Sequence, residues 1–232
     1  MEDMQTNNSS KIDILTKYIS YGIIKGIGKK TANKIVEKFG ISAFDVLESA
    51  PHLLTQIDGI SLKKAVAISE SFNQNPNLKD ILFFLHEHEV PVYLTIRILE
   101  EYKAATIDII RNNPYRFVID IPLGGSFETA DKIAHRLGIA RDTPNRIVAA
   151  VMYKLLNASS YGTCYPQDQL IEQVHRMTGL SNDLIENEIV NMQLEKVIII
   201  ENPPHEKTHQ WGITPVVFLV ESSDPNLGYV SV

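Results

Sequence analysis

The residues with the clearest chemical potential are two glycines near the start of the chain and the lysines that follow them. Gly26-Ile27-Gly28 is followed directly by Lys29-Lys30-Thr31. Glycines permit a tight turn and a close approach of the backbone to a ligand. The residues after Gly28 predict the start of a helix, whose free N–H groups and positive dipole end favour an anion. The segment therefore predicts a phosphate-binding hairpin to which lysine side chains add charge.

The hairpin is one member of an internal repeat, and such repeats decide the architecture of a chain. Copies with the same glycine-to-alanine spacing pair Gly26 with Ala32, Gly59 with Ala65 and, more weakly, Gly124 with Ala130. A longer period of 63 residues predicts a fourth hairpin at Glu89-Val90-Pro91, which has lost its glycines. We expect phosphate contact to weaken in the order Gly26, Gly59, Gly124, and the fourth hairpin to be purely structural.

The candidate phosphate-contacting residues belong to the three glycine hairpins and the basic positions beside them. They are Lys25, Gly26, Ile27, Gly28, Lys29, Lys30, Thr31 and Lys34 at the first hairpin; Gly59, Ile60, Ser61, Lys63 and Lys64 at the second; and Gly124, Gly125 and Ser126 at the third. Contacts of this kind position a nucleic acid without reading its sequence.

Two enzymatic interpretations of the first hairpin do not fit its residues. A nucleotide-binding loop requires Gly-x-x-x-x-Gly-Lys-Ser/Thr, but Ile23 and Lys30 occupy the places of its first glycine and its magnesium-binding hydroxyl. A base-excision glycosylase also has a glycine hairpin followed by Lys-Thr-Ala-Asn, as at 30–33. It needs an aspartate where this chain has Glu48, and Asp45 comes three residues early.

No other catalytic or metal-binding constellation is recognisable in the sequence. His86 and His88 are two positions apart on a predicted helix and cannot face one ligand together. His205 and His209 flank a predicted loop without a third or fourth metal ligand. We therefore expect no catalytic residue, no metal site and no cofactor in this chain.

Helix and turn signals predict a mainly α chain, with two double helix-hairpin-helix units followed by a winged-helix-like α/β domain. The expected boundaries are a disordered leader over 1–11, double units over 12–75 and 78–141 (the second degenerate), the winged-helix-like domain over 143–220 and a tail over 221–232. In the last domain Thr143-Pro144 begins a helix ending near Ser160, Gly179 ends a second helix, and Ser181 caps a third that ends at Glu195. Residues 196–201 and 211–220 predict two strands.

Charge is distributed unevenly along the chain. The formal net charge of −6 argues weakly against a nucleic-acid partner. Residues 11–38, however, hold seven lysines against two acids, whereas residues 182–232 hold eight acids and two lysines. The basic part surrounds the first glycine hairpin.

Composition also indicates the compartment. A single cysteine, Cys164, excludes an internal disulfide and a Cys-rich metal site, and we expect it to be a small buried apolar residue. The polar start of the chain lacks the apolar segment of a signal peptide, and no apolar run is long enough for a membrane span. We predict a cytoplasmic protein without a membrane partner.

The order of these elements resembles the N-terminal region of RecD-like DNA helicases of superfamily 1, over roughly 18–218. The most specific segments are 22–32, 113–116 and 124–134, although Ser126 and Glu128 replace a glycine and a lysine of the family pattern. In that family ATP hydrolysis and translocation belong to motor domains that follow this region. The resemblance thus implies ATP and magnesium only for a longer protein, of which this chain is either a part or a stand-alone relative.

These observations favour sequence-nonspecific binding of single-stranded or duplex DNA, with helicase motor domains or a repair protein as further partners. The alternative is a protein–protein interaction scaffold in a DNA repair or recombination complex. It is motivated by the third helix of the last domain, which carries Asp183, Glu186, Glu188 and Glu195 and no basic residue before Lys196. Acidic side chains on that helix would repel phosphate.

Overall fold

A computed structural model describes residues 16, 18, 24–121, 124–158, 164–201 and 216–219. The chain divides into two compact units, Met1–Ile107 and Asp108–Val232. The described residues are mostly helical, as the hydrophobic periodicity predicts. The expected leader, the tail and the loop carrying His205 and His209 lie outside the described residues.

The first unit is built from short helices joined by tight turns. The helices are α1 (Lys29–Phe39), α2 (Ala43–Ser49), α3 (Leu62–Asn73), α4 (Leu78–Glu87) and α5 (Val92–Tyr102), with 3-10 turns at Gly40–Ser42, Pro51–Gln56 and Lys103–Ala105. Helix α6 (Thr106–Asn112) crosses the division between the units.

The core of the first unit is formed by the apolar faces that the helical spacing predicts. Ala32, Ile35 and Val36 of α1 are buried, and the repeat-related Ala65 and Ile68 of α3 are fully buried. The repeat therefore corresponds to two helices that each contribute the same face to one core. Burying an aliphatic side chain of this size contributes about 1.5–3 kcal/mol, so the repeated face stabilises both hairpins.

The second unit combines helices with a small sheet. Its elements are α7 (Arg116–Asp120), α8 (Phe127–Arg136), α9 (Pro144–Leu156), β1 (Cys164–Pro166), α10 (Gln167–Thr178), α11 (Asn182–Leu194), β2 (Ile198–Glu201) and β3 (Val216–Leu219). The strands pair antiparallel in the order β1-β3-β2, with Ile199 opposite Phe218 and Tyr165 opposite Val217.

The helix boundaries of the second unit agree with the local signals in the sequence. Thr143 precedes Pro144 at the start of α9, and Gly179 ends α10 in the left-handed conformation with φ +72°. Ser181 is the N-cap residue of α11, and Glu195 follows its last residue. Helix α9 ends at Leu156, a few residues earlier than expected. Strand β1 was not predicted, because its three residues carry no alternating pattern of their own.

No helix in the described part of the chain is long and apolar enough to cross a membrane.

Candidate nucleic-acid interface

The first hairpin is a β-turn stabilised from both ends by buried isoleucines. The Ile27 N–H donates to the Ile24 carbonyl at 3.3 Å, and Gly26 occupies the third position with φ +89°. Such a turn requires positive φ there, which glycine adopts without a steric penalty. Ile24 and Ile27 are buried, so the turn is fixed while the Ile27 side chain faces the core and not a ligand.

Helix α1 begins directly after this turn without a side-chain cap. Gly28 is the N-cap residue, in an extended conformation, and the first helical bond runs from the Ala32 N–H to the Gly28 carbonyl at 2.9 Å. Within the described residues, the N–H groups of Gly28, Lys29, Lys30 and Thr31 have no hydrogen-bond partner. A Cβ added at Gly28 would meet no atom within 4 Å. These donors are therefore open to an incoming anion.

The lysines at this helix start add positive charge to the open donors. Lys25, Lys29 and Lys30 are exposed, and no ion pair engages them in the part of the chain that the structure describes. Lys34 differs, because its ammonium donates to the Asp58 carbonyl at 3.2 Å. Lys34 therefore connects α1 to the second hairpin and is less available to a ligand than the lysines at the helix start.

Helix α3 packs against the first hairpin, through contacts that the sequence did not indicate. The Lys25 N–H donates to the Ser71 hydroxyl at 2.9 Å. A Cβ on Gly26 would lie 3.3 Å from Ile68 Cγ1, so the turn lies close against α3. Each hairpin of the pair is thus supported by the helix that follows the other. The repeat indicated this symmetry, but no local signal identified Ser71.

The second hairpin has the same turn but a partly satisfied helix start. The Ile60 N–H donates to the Ile57 carbonyl at 3.1 Å, and Gly59 has φ +89°. The Ser61 hydroxyl accepts a bond from the Lys64 N–H at 3.3 Å, which removes one donor from the open set. Lys63 and Lys64 are exposed, while Ile60 is buried. This hairpin can offer charge, but fewer free N–H groups than the first.

The glycines of the third hairpin include one that serves packing. A Cβ on Gly125 would lie 2.5 Å from the Phe117 carbonyl oxygen and 2.6 Å from Val118 Cα, so only glycine fits against α7. The Ser126 hydroxyl accepts from the Thr129 N–H at 3.2 Å and caps α8. Glycine therefore permits helix–helix approach here, which is a different use from that at Gly28.

The third hairpin also has an acidic residue at its helix start. Glu128 lies in the first turn of α8, is exposed, and forms an ion pair with Lys132 at 2.7 Å. The hydrogen bond from Lys132 lowers the pKa of Glu128. Its negative charge interacts favourably with the helix dipole at the helix start and would repel an anion at the same place.

The fourth hairpin contains no glycine, yet it has a left-handed residue. Glu89 has φ +57°, and the Val90 N–H donates to the Leu85 carbonyl at 2.9 Å, which closes the end of α4. Pro91 is the N-cap residue of α5 and has no N–H group to offer. This hairpin retains the connection between two helices without the donors of the first.

A buried ionic cluster holds the second unit together. The Arg146 side chain, only 4% exposed, donates from Nε to Asp131 Oδ1 at 2.7 Å and from Nη2 to Oδ2 at 3.0 Å. Its Nη1 donates to the carbonyls of Arg141 and Thr178, each at 3.0 Å. The Tyr115 hydroxyl donates to Asp131 Oδ1 at 2.8 Å. The cluster thereby links α8, α9 and the end of α10.

The cluster has consistent protonation states. Burial alone would raise the pKa of Asp131, but the hydrogen bonds from Arg146 and Tyr115 outweigh it and keep that pKa below its ordinary value. Burial and the bond to Asp131 raise the pKa of Tyr115. Asp131 is therefore an anion, Tyr115 is neutral, and Arg146 is a cation at neutral pH. The sequence pattern placed Asp131 in a recognisable segment but gave no indication of its partner.

Two family models match adjacent parts of the chain. Residues 21–74 match a SAM-like helix-hairpin-helix tandem, and residues 74–165 match the helix-hairpin-helix domain of ATP-dependent RecD2 DNA helicases. The ATP-dependent RecD2 DNA helicase of Deinococcus radiodurans is 30% identical over 132 residues, which are 57% of this chain and 18% of that helicase. The chain carries a RecD-like helix-hairpin-helix region.

The two matched stretches together contain all four hairpins. The first two lie within the tandem match, and the hairpins at Val90 and Gly124 lie within the RecD2 match together with Asp131 and Arg146. The resemblance inferred from the motifs is confirmed. The matched stretch spans less than a fifth of the length of the Deinococcus helicase. Among the described residues, no three His, Cys, Asp or Glu side chains are grouped as metal ligands would be.

Proposed function

We propose that this chain binds DNA without sequence preference, through the phosphate backbone, and that the Gly26 hairpin is the principal contact. The observation that carries the proposal is the uncapped start of α1, where open N–H groups lie beside the exposed Lys29 and Lys30. The matched stretches are helix-hairpin-helix regions, and the RecD2 family model and the Deinococcus relative are both named as DNA helicases. Single-stranded and duplex DNA both present the required phosphates.

The strength of this interaction follows from the number of phosphates engaged. If the first two hairpins contact three or four phosphates in total, log K against log salt should have a slope of about −2 to −4. The dissociation constant should lie in the nonspecific range, about 10⁻⁴ to 10⁻⁶ M at physiological salt.

A titration of labelled oligonucleotides, followed by fluorescence anisotropy at several salt concentrations, tests the proposal. The Lys29→Glu, Lys30→Glu variant should lose about two units of salt slope, because two phosphate contacts become repulsive. The matched variant Lys63→Glu, Lys64→Glu has the same charge change at the second hairpin and should lose less. Equal losses in both variants would contradict the assignment of the first hairpin, and no binding at low salt would contradict the function itself.

A second candidate function is favoured by the surface of α11. Leu184, Val190 and Leu194 on this helix and Ile199 on β2 are exposed large apolar side chains, with Leu194 76% exposed. The acidic residues Asp183, Glu186 and Glu195 are exposed on the same helix or directly after it. Apolar side chains among acids are typical of a protein-binding surface. We infer that this face contacts a protein, such as helicase motor domains or a repair or recombination protein.

We also propose that residues 143–220 form a winged helix in which the third helix does not read DNA. Support comes from the order α9-β1-α10-α11-β2-β3 and the antiparallel pairing of β2 with β3. The acidic residues of α11 disfavour insertion into a DNA groove. Pull-down with purified candidate partners, compared between wild type and Leu184→Ser, Leu194→Ser, tests this role. Retention of binding by the variant would contradict it.

A further inference from the structure

The second unit contains a cleft that the proposed backbone contact does not use. It has a volume of about 680 Å³, within the range of small-molecule sites. It is lined by residues of α8 and its N-cap Ser126, by Tyr153 of α9 and by Met177 of α10. The cleft therefore extends from the start of α8 along about three turns of the helix.

Two aromatic side chains, Phe127 and Tyr153, line the cleft and contact each other. The Phe127 ring stacks on Tyr115 at a centroid distance of 6.0 Å, and the Arg146 guanidinium lies 5.9 Å from the Phe127 centroid. The Tyr153 ring lies 6.5 Å from Phe127 and is half-buried, so one part of it remains open to the cleft. An aromatic ring fixed by its neighbours is suited to stacking on the flat face of a heterocyclic base.

The charge of the cleft is positive although its surroundings are acidic. Residues 108–201 contain twelve acids and nine Lys or Arg residues. Of the two acids lining the cleft, Glu128 forms an ion pair with Lys132 and Asp131 with Arg146. Arg136 and Arg141 also line it, and both are exposed. Because both lining acids are paired, the exposed Arg141 adds positive charge to the cleft.

A hydrogen bond fixes the backbone of Arg141, whose side chain lines the cleft. Its carbonyl accepts a bond from Arg146 at 3.0 Å, which anchors the loop between α8 and α9. The Arg141 charge also helps to lower the pKa of Asp131, consistent with a guanidinium on the cleft side of the loop. A lining cation and a lining aromatic ring match the two parts of a nucleotide, its phosphate and its base.

We infer that this cleft binds one nucleotide unit of a DNA strand, with the base on Tyr153 and a phosphate near Arg141. The choice of a strand over a free nucleotide rests on the proposed function, while the cleft itself is independent of the Gly26 hairpin. A single strand is favoured, since its bases are free to leave the stack and lie on an aromatic ring.

Photo-crosslinking of the full chain to a dT oligonucleotide carrying 5-iodouracil tests the site, with iodo-dUMP in a parallel arm. We expect the tryptic peptide 147–154, which contains Tyr153, to carry the crosslink. If the oligonucleotide crosslinks to this peptide, the cleft binds a DNA strand. If the mononucleotide alone crosslinks to it, the cleft binds a nucleotide but the inference of a strand is contradicted. Crosslinks confined to other peptides in both arms would overturn the inference.

Affinity measurements on matched variants give a second readout. Tyr153→Phe should bind the oligonucleotide as wild type does, whereas Tyr153→Leu, which preserves apolar packing, should bind about fivefold more weakly or worse. Arg141→Gln should weaken binding more than Arg176→Gln, which removes an equal charge from the exposed Arg176–Glu172 pair on α10. Loss of binding only in the Lys29→Glu, Lys30→Glu variant would contradict the cleft, and loss only in the cleft variants would contradict the proposed function.

Discussion

Replacing Arg146 by methionine should destabilise the unit from 108 to 232 by about 3 kcal/mol. Methionine keeps most of the apolar volume but removes four hydrogen bonds, two to Asp131 and one each to the Arg141 and Thr178 carbonyls. Breaking a buried ion pair costs about 3–5 kcal/mol, because the remaining charge has lost its partner. The lower end applies here, since the Asp131 side chain is 34% exposed and can gain water.

Thermal unfolding followed by circular dichroism and calorimetry measures this loss. For a unit of this size, about 3 kcal/mol corresponds to a decrease in Tm on the order of 10 °C. Arg176→Met is the matched control, because Arg176 is exposed and pairs with Glu172 on its own helix. The control should change stability by less than about 0.5 kcal/mol.

A double-mutant cycle separates the ion pair from the packing of the arginine stem. Asp131→Asn preserves an acceptor for the Tyr115 hydroxyl and removes the charge. The double variant Arg146→Met, Asp131→Asn leaves neither charge unpaired. Its loss of stability should therefore be smaller than the sum of the two single-variant losses, by about 1–3 kcal/mol. Strict additivity, or a loss in Arg146→Met no larger than in Arg176→Met, would refute the reasoning.

Three further predictions concern pH and individual glycines. The pKa of Asp131 is lowered in the folded state, so its ion pair stabilises the fold fully above about pH 4. This stabilisation is lost as the pH falls through the lowered pKa. In Asp131→Asn, Tm should therefore decrease less steeply as the pH is lowered than it does in the wild type. Gly125→Ala should lower the free energy of unfolding in urea by about 1–3 kcal/mol, because the added Cβ would overlap the Phe117 carbonyl. At Gly28 an added Cβ meets open space, so Gly28→Ala should change that free energy by less than about 1 kcal/mol. Gly28→Ser should stabilise the fold by a few tenths of a kcal/mol, because the serine would cap α1 as Ser61 caps α3. The same variant should bind DNA about fivefold more weakly in anisotropy titrations, because the cap occupies one backbone donor. Unchanged DNA binding would show that this donor is not used.

The parts of the fold that the sequence predicts well are those set by local chemistry. The tight turns at Gly26 and Gly59, where φ is positive, and the left-handed helix end at Gly179 depend on residues within one turn. Helix α9 begins at Pro144 for the same reason. Such features need no knowledge of the rest of the chain, and they were enough to identify the hairpins.

The features that the sequence did not reveal depend on residues distant along the chain. Ser71 receives the Lys25 N–H from 46 positions away, and the Thr178 carbonyl binds Arg146 across 32 positions. Strand β1 exists because β3 supplies its hydrogen-bond partners. Neither periodicity nor spacing encodes these contacts, because each partner has an ordinary local environment until the helices pack.

The residue at the N-cap position determines which backbone N–H groups each of the four related hairpins leaves open. Gly28 leaves the first-turn donors open, whereas Ser61 and Ser126 each satisfy one donor with their own hydroxyl, and Pro91 has no N–H at all. A phosphate at a serine-capped hairpin must displace an existing hydrogen bond, which contributes about 1 kcal/mol. At the third hairpin it must also approach Glu128. The number of open donors therefore favours the first hairpin over the second and third, and Glu128 disfavours the third relative to the second, which gives the proposed order without reference to the lysines.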